Sequence, residues 1–395
     1  MEIIVHRGTH QIGGCATEIR TGTTRILIDF GAELPDETGY VPPDHLEIDG
    51  LNVGAPGFDA VLLTHYHGDH LGLINRIPDS IPVYLGRSAV EVHKCFARRL
   101  ARRDPEGFEV SQRLRTLDAM VPLVIGDIRV TPLPADHSAW DALMFLVEAD
   151  GKRVLHTGDF RLHGFRGKAT LPVLEKYAAG VDVLIMEGTR LSGGSHAGIS
   201  ERELQGRLKE AIRANKYVFV LCASTNIDRL ASIQNVTPRG RYFICDHYQK
   251  EILDVVRACA KSGCYGFPKV TTYGKNLEHR FRKQGFVMAV RGNPLFAGIA
   301  AGYPDAVLVY SMWEGYLDGR NPALSAFVKP FKESGRMQVL HTSGHAAPED
   351  LKAVCDAVKP ARGVIPIHGR RPEDFDGLGL SAPVIALADG EVFQL

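Results

Sequence analysis

The sequence predicts an α/β protein of about two domains, on three observations. The chain has 395 residues, which is long for a single core. Its first third alternates short β-rich apolar runs with Gly-rich turns, and its tail returns to that texture. Between them, from Ser200 onward, helix and strand patterns alternate. Apolar residues at 45% and charged residues at 23% supply cores and surface in globular proportion, which excludes a disordered or fibrous chain.

The elements follow in chain order. Residues 1–8 read as a strand entering a loop, without the basic start, apolar stretch and cleavage site of a secretory signal. Strands are expected at 24–29, 60–64, 83–85 and 128–130. Residues 143–147 and 153–156 flank Asp150-Gly151, a hairpin signal. Residues 181–186 form a nearly unbroken apolar run, suited to a strand buried on both faces. The texture changes at Gly193-Gly194-Ser195, and Ser200 with Glu203 resembles a capping box opening a helix to about residue 214. Strands at 217–221, 241–245 and 306–310 then alternate with helices at 228–235 and 249–262. The tail offers strands at 338–341 and 363–368 around a helix at 348–358. Three segments result: 1–195, an inserted α/β unit at 196–336, and a return segment at 337–395.

Lys plus Arg equals Asp plus Glu at 46 each, so no global field recruits a polyanion, although local patches remain open to phosphates. Lys94, Arg98, Arg99, Arg102 and Arg103 form such a patch on an expected helix, with Arg280, Arg282 and Lys283 a weaker one. No aromatic interleaving marks a stacking platform. The seven Cys residues are odd in number and contain no Cys-x-x-Cys pair, so free thiols in a reducing compartment are expected. Cys259 and Cys264 lack the second ligand pair that a structural zinc site needs. No apolar run approaches the ~18 residues of a membrane span, so a soluble cytoplasmic protein is the default.

Chemistry concentrates in His65-Tyr66-His67-Gly68-Asp69-His70, directly after an expected strand. Imidazole and carboxylate together suit Zn²⁺ or a similar borderline metal, and Gly68 would allow the tight bend between ligands. His137 and Asp159 each follow a further strand, and a carboxylate can bridge two cations about 3.5–4 Å apart.

The ordered set Asp29, His65–His70, His137 and Asp159 resembles the motifs of the metallo-β-lactamase fold. The resemblance implies a four-layer αβ/βα sandwich with a dinuclear metal site at one edge, holding two Zn²⁺ per chain, with Mn²⁺ the alternative. His65, His67 and His137 would hold one metal. Asp69 and His70 would hold the other, Asp159 would bridge, and Asp29 would orient the site without ligating. Glu187, His345 and His368 resemble the extra motifs of the β-CASP nuclease branch, which includes ribonuclease J and the pre-mRNA 3′-end endonucleases. The segments 223–229 and 310–316 also look like that branch, and the inserted unit would be its β-CASP domain. By this resemblance His368 is the last ligand of the second metal, and His345 lies beside the scissile phosphate as a proton donor. Glu187 would hold a ligand His, Ser343 and the Gly344 backbone would form a phosphate-binding turn, and Ser224 and Asn226 would contact the nucleic-acid backbone. Asp69 would help orient a metal-bridging hydroxide.

The implied activity is phosphodiester hydrolysis, with single-stranded RNA as partner and RNA processing or decay as role. The alternatives are a DNA exonuclease of the same branch and a non-catalytic RNA-binding paralogue. Two departures from ribonuclease J stand out. Arg370 and Arg371 follow the last His-Gly where Glu is usual, and the closeness of Leu395 to His368 leads one to expect a short form without a C-terminal domain. Oligomeric state, polarity, and endo- versus exonuclease action stay open.

Overall fold

The structure is a computed structural model, which describes residues 1–35, 39, 44–191 and 198–395. The texture change at 193–195, and with it the expected boundary at 195/196, lies outside the described residues. The chain divides into two compact units. One contains 1–162, 166–197 and 344–395, and the other contains 163–165 and 198–343.

The first unit is built on two mixed sheets. Among the described residues one has seven strands, in the order Val392–Gln394, Glu2–Arg7, Ala16–Arg20, Arg25–Ile28, Ala60–Leu62, Val83–Gly86, Arg115–Leu117. The other has six, in the order Gly363–Ile367, Val183–Glu187, Lys152–His156, Leu143–Ala149, Ile128–Pro134, Leu123–Ile125. Alternation decides which side chains meet. Ile3, Val5, Ile19, Ile26, Ile28 and Leu62 of the first sheet pack with Val130, Phe145, Val154, Ile185 and Ile365 of the second. The opposite face of the second sheet, with Leu133, Met144, Leu155, Leu184 and Met186, is covered by the helices Thr170–Tyr177 and Pro348–Val358. The helix Arg87–Leu100 lies against the first sheet. This is the sandwich of sheets and outer helices that the sequence predicts. Val183–Glu187 is buried at every position because Ile185 faces one core and Leu184 and Met186 the other. Asp150 and Gly151 both take positive φ, as the two-residue hairpin demands.

The second unit carries an all-parallel sheet of six strands among the described residues. Its order is Val270–Thr272, Tyr242–Cys245, Phe286–Val290, Tyr217–Leu221, Val307–Tyr310, Met337–Val339. Ser200 caps the helix Glu201–Ala214 with Glu203 completing the capping box, as the sequence indicates. Two expectations need correcting. The strand assigned to the return segment, Met337–Val339, pairs in parallel with Val307–Tyr310, so the inserted unit runs to Ser343 rather than 336. Arg102 and Arg103 lie beyond the helix end at Leu100, so the expected helical spacing with Arg98 and Arg99 does not form.

A buried ion pair organises this unit. Arg229 Nε donates to Glu201 Oε1 at 2.8 Å, and both side chains are fully buried. Arg229 Nη1 also donates to the Ser311 carbonyl at 3.2 Å. Such a pair is expensive to break from one side, since the survivor is left charged and dry.

Candidate metal centre

Most of the site residues lie at or just past the carboxyl end of a strand. Asp29 follows Arg25–Ile28 and His368 follows Gly363–Ile367, and both adopt the left-handed backbone, with φ of 62° and 53°. That conformation turns a side chain sharply away from strand direction, and a non-Gly residue holds it only where its surroundings compensate. At His368 the compensation is visible. Its amide donates to the Gly8 carbonyl at 2.8 Å, and the Thr189 hydroxyl contacts both its ring and its carbonyl.

The run after Ala60–Leu62 forms a loop and then a single helical turn, Gly68–Leu71, which carries Asp69 and His70. Gly68 is not the indispensable glycine, since a Cβ there would meet open space. Gly31 is: a Cβ on it would sit 1.7 Å from the Asp69 carbonyl.

Three imidazoles converge first. His67 Nδ1 lies 3.0 Å from His65 Nε2 and 3.2 Å from His137 Nε2. The outer nitrogens are committed elsewhere. The His137 Nδ1–H donates to the Gly344 carbonyl at 2.7 Å. His65 Nδ1 lies 3.1 Å from the Thr64 hydroxyl, which itself donates to Asp29 at 2.8 Å. These contacts fix the tautomers so that Nε2 of His65 and of His137 present lone pairs inward. Burial favours the neutral form of all three rings. It brings His67 down to about 4, and the neighbouring imidazoles depress His65 and His137 further.

The second group mixes imidazole and carboxylate. His368 Nε2 is 3.3 Å from Asp69 Oδ2, and His70 Nε2 is 3.2 Å from Asp159 Oδ2. His70 Nδ1 donates to Asp29 Oδ2 at 2.8 Å, while Asp29 Oδ1 accepts the Thr64 amide at 2.7 Å. Burial opposes charge on Asp69 and Asp159. Even so, His70 and His368 hold both well below the usual carboxylate range, joined at Asp159 by His345. Asp159 faces both groups, with Oδ2 3.7 Å from His65 Nε2 and 3.9 Å from His137 Nε2, and Oδ1 3.8 Å from His368 Nε2.

Glu187, expected to hold a ligand His, reaches His368 through an intermediary. The Thr189 hydroxyl donates to Glu187 Oε2 at 2.6 Å and contacts His368 Nδ1 at 2.7 Å. Glu187 Oε2 also pairs with His345 Nδ1 at 3.0 Å, and its Oε1 accepts the Phe160 amide beside Asp159. Burial resists protonation of His345, but Glu187 and then Asp159 outweigh it and raise the ring to about 9.

The structure thus brings Asp29, His65, His67, Asp69, His70, His137, Asp159, Glu187, Gly344, His345 and His368 together in the first unit. Ser343, Ser224 and Asn226 belong to the second unit. The Ser343 carbonyl accepts from His163 Nε2 at 2.9 Å, Asn226 caps the helix Ile227–Val236, and the Ser224 hydroxyl accepts from Arg291. Sequence reasoning missed Thr189, Thr64 and the Gly344 carbonyl as orienting groups. Thr189, two positions past the acidic end of a buried strand, was the one with a signal. It also missed Cys15, whose Sγ lies within ligand reach of His70 and His368 but whose thiol burial pushes well up.

With this geometry in hand, similarity to known proteins can be placed. A family described as "Beta-lactamase superfamily domain" matches residues 24–220, and one described as "Zn-dependent metallo-hydrolase RNA specificity domain" matches residues 334–374. The chain carries a metallo-β-lactamase superfamily domain. It is ribonuclease J-like, and it is a metal-dependent hydrolase. It is 27% identical to "Ribonuclease J" of Mycobacterium tuberculosis (strain CDC 1551 / Oshkosh), over 92% of this chain and 67% of that one. It is 26% identical to "Ribonuclease J" of Thermus thermophilus, over 93% and 68%. A crystallised protein of unknown function from Enterococcus faecalis V583 shares the fold at a TM-score of 0.80 and 23% identity, covering 100% of this chain and 99% of its own. No helix among the described residues is long and apolar enough to cross a membrane.

Proposed function

We propose that this metallo-β-lactamase-fold chain is a dinuclear zinc-dependent ribonuclease acting on single-stranded RNA, in RNA processing or decay in the cytoplasm. The observation that carries it is Asp159, whose two oxygens face both groups of nitrogens. The donor set fits two cations. The inward Nε2 atoms of His65 and His137 converge on His67 Nδ1, and the buried Asp159 Oδ1 has no hydrogen-bond partner among the described residues. His65, His67 and His137 would hold one ion, Asp69, His70 and His368 the other, and Asp159 would bridge. Bound zinc, with Mn²⁺ as alternative, supplies Lewis-acid polarisation of a phosphoryl oxygen and a water of lowered pKa.

The chain's own residues do the rest. Asp29, Thr64, Gly344 and Thr189 hold the imidazole rings in their tautomers. Asp69 orients the attacking water. His345, kept protonated by Glu187 and Asp159, donates through its other nitrogen to the departing oxygen. Ser343 and the Gly344 amide receive a phosphate oxygen, and Ser224 and Asn226 meet the RNA backbone. The relatives' printed names and the RNA specificity domain support RNA over DNA.

The test is metal analysis, followed by digestion of one long RNA bearing a 5′-monophosphate or a 5′-triphosphate, beside a matched DNA. Two zinc equivalents and RNA cleavage abolished by His67→Ala are expected. Monophosphate dependence with mononucleotide products would assign 5′-exonuclease action. A fully loaded protein inert on RNA and DNA alike would sink the proposal, and preference for DNA would overturn its substrate.

A further inference from the structure

The parallel sheet of the second unit has a topological switch. Connections after Tyr217–Leu221 and Tyr242–Cys245 run toward one edge of the sheet, and those after Phe286–Val290 and Val307–Tyr310 toward the other. Right-handed crossovers put the two sets of helices on opposite faces. A crevice therefore opens at the carboxyl ends of the central strands, where open α/β sheets bind ligands. The loop after Val307–Tyr310 leaves the same carboxyl edge one strand out from that switch and is firmly built. Its first residue, Ser311, is gripped by the buried Arg229, and the Tyr310 hydroxyl donates to the Trp313 carbonyl at 2.9 Å. The loop nevertheless carries the two aromatic rings Trp313 and Tyr316, which are 56% and 50% exposed. Their centroids are 5.4 Å apart with planes at 88°. Gly315 backs the indole, since a Cβ there would fall 2.2–2.4 Å from three of its ring carbons. One indole face is thus seated on backbone, and a large part of the ring is left to solvent. Arg291 follows the neighbouring strand Phe286–Val290; its guanidinium lies over the Tyr248 and Phe296 rings, pairs with Asp246 and donates to Ser224.

The geometry points to Trp313 and Tyr316 as a stacking platform for the unpaired bases of single-stranded RNA, an inference that rests on the nuclease reading above. Flat rings on a rigid loop suit base faces, which are apolar, planar and present in every sequence.

Trp313 reports on its own occupancy. The chain has only one other tryptophan, Trp140, which is buried at 9% exposure. A short phosphorothioate oligoadenylate, resistant to hydrolysis, is titrated into the full chain while tryptophan emission is followed. Saturable quenching is expected. Trp313→Ala should abolish it and raise Kd about tenfold or more, and Trp313→Tyr should restore most of the affinity. Gly315→Val, which displaces the indole without removing it, should weaken binding in the same direction. An abasic oligomer should bind weakly and quench little. Turnover of bis(p-nitrophenyl) phosphate by the parent reports on the metal centre without any base to stack. Equal affinity of Trp313→Ala and parent for the oligomer, or equal quenching by the abasic chain, would overturn the platform alone. A parent inert toward RNA and the small diester would overturn the nuclease reading instead.

Discussion

The two halves of the metal centre are assembled by different means. His65, His67 and His137 form a group of neutral imidazoles whose net charge is zero. Two of them come from one turn, and burial and packing keep all three uncharged. Asp69, His70, Asp159 and His368 form a mixed group, in which neighbouring imidazoles hold the two carboxylates ionised across parts of the chain up to 299 residues apart. The first group depends on local chain geometry. The second depends on distant strands meeting, since His368 follows Gly363–Ile367, which pairs with Val183–Glu187. Asp159 alone belongs to both, which makes it the sharpest point at which to separate them.

Asp159→Ala should therefore have the largest effect, lowering turnover by at least about 10³-fold and weakening both metal sites. A variant that kept two tight equivalents by metal analysis would break the picture of a shared carboxylate. His368→Ala should cost about 10²-fold in turnover and lose one equivalent while the three-imidazole group keeps the other. Loss of both ions together would show that the two groups are not separable. Thr189→Val breaks the link from Glu187 to His368 without touching a proposed ligand. It should cost about 10- to 100-fold in second-metal affinity or activity, with Thr189→Ser close to the parent in a zinc-competition titration. Gly344→Ala presses a methyl to 3.2 Å from His137 Cε1 and 2.9 Å from Ser138 Oγ. A loss of only a few-fold is expected, confined to the three-imidazole site. An unchanged kcat would mean that the added methyl is absorbed without turning that ring.

The same contrast explains what the sequence shows. The local group is legible because three histidines and an aspartate crowd into six positions. His137, Asp159 and His368 are single residues in long stretches, so only their order along the chain marks them. The orienting groups are harder still. Thr64, Thr189 and the Gly344 carbonyl act through a hydroxyl or a backbone atom, and many residues carry such atoms. The fold was legible wherever burial is one- or two-sided and regular, as at Val183–Glu187 and in the Asp150-Gly151 hairpin. Phe286–Val290, the strand between Tyr242–Cys245 and Tyr217–Leu221, was not singled out although it is buried throughout. Met337–Val339 was misassigned because short edge strands carry little pattern, and pairing with Val307–Tyr310 decides their sheet.

The left-handed turn at His368, stitched to Gly8 at the other end of the chain, has a temporal meaning. A ribosome makes the histidine run early and the last histidine late. On the proposed reading, a nascent chain that has not yet emerged past Gly363–Ile367 holds the three-imidazole group and lacks one ligand of the other. On that reading the second site is complete only once Gly363–Ile367 pairs with Val183–Glu187 and brings His368 in.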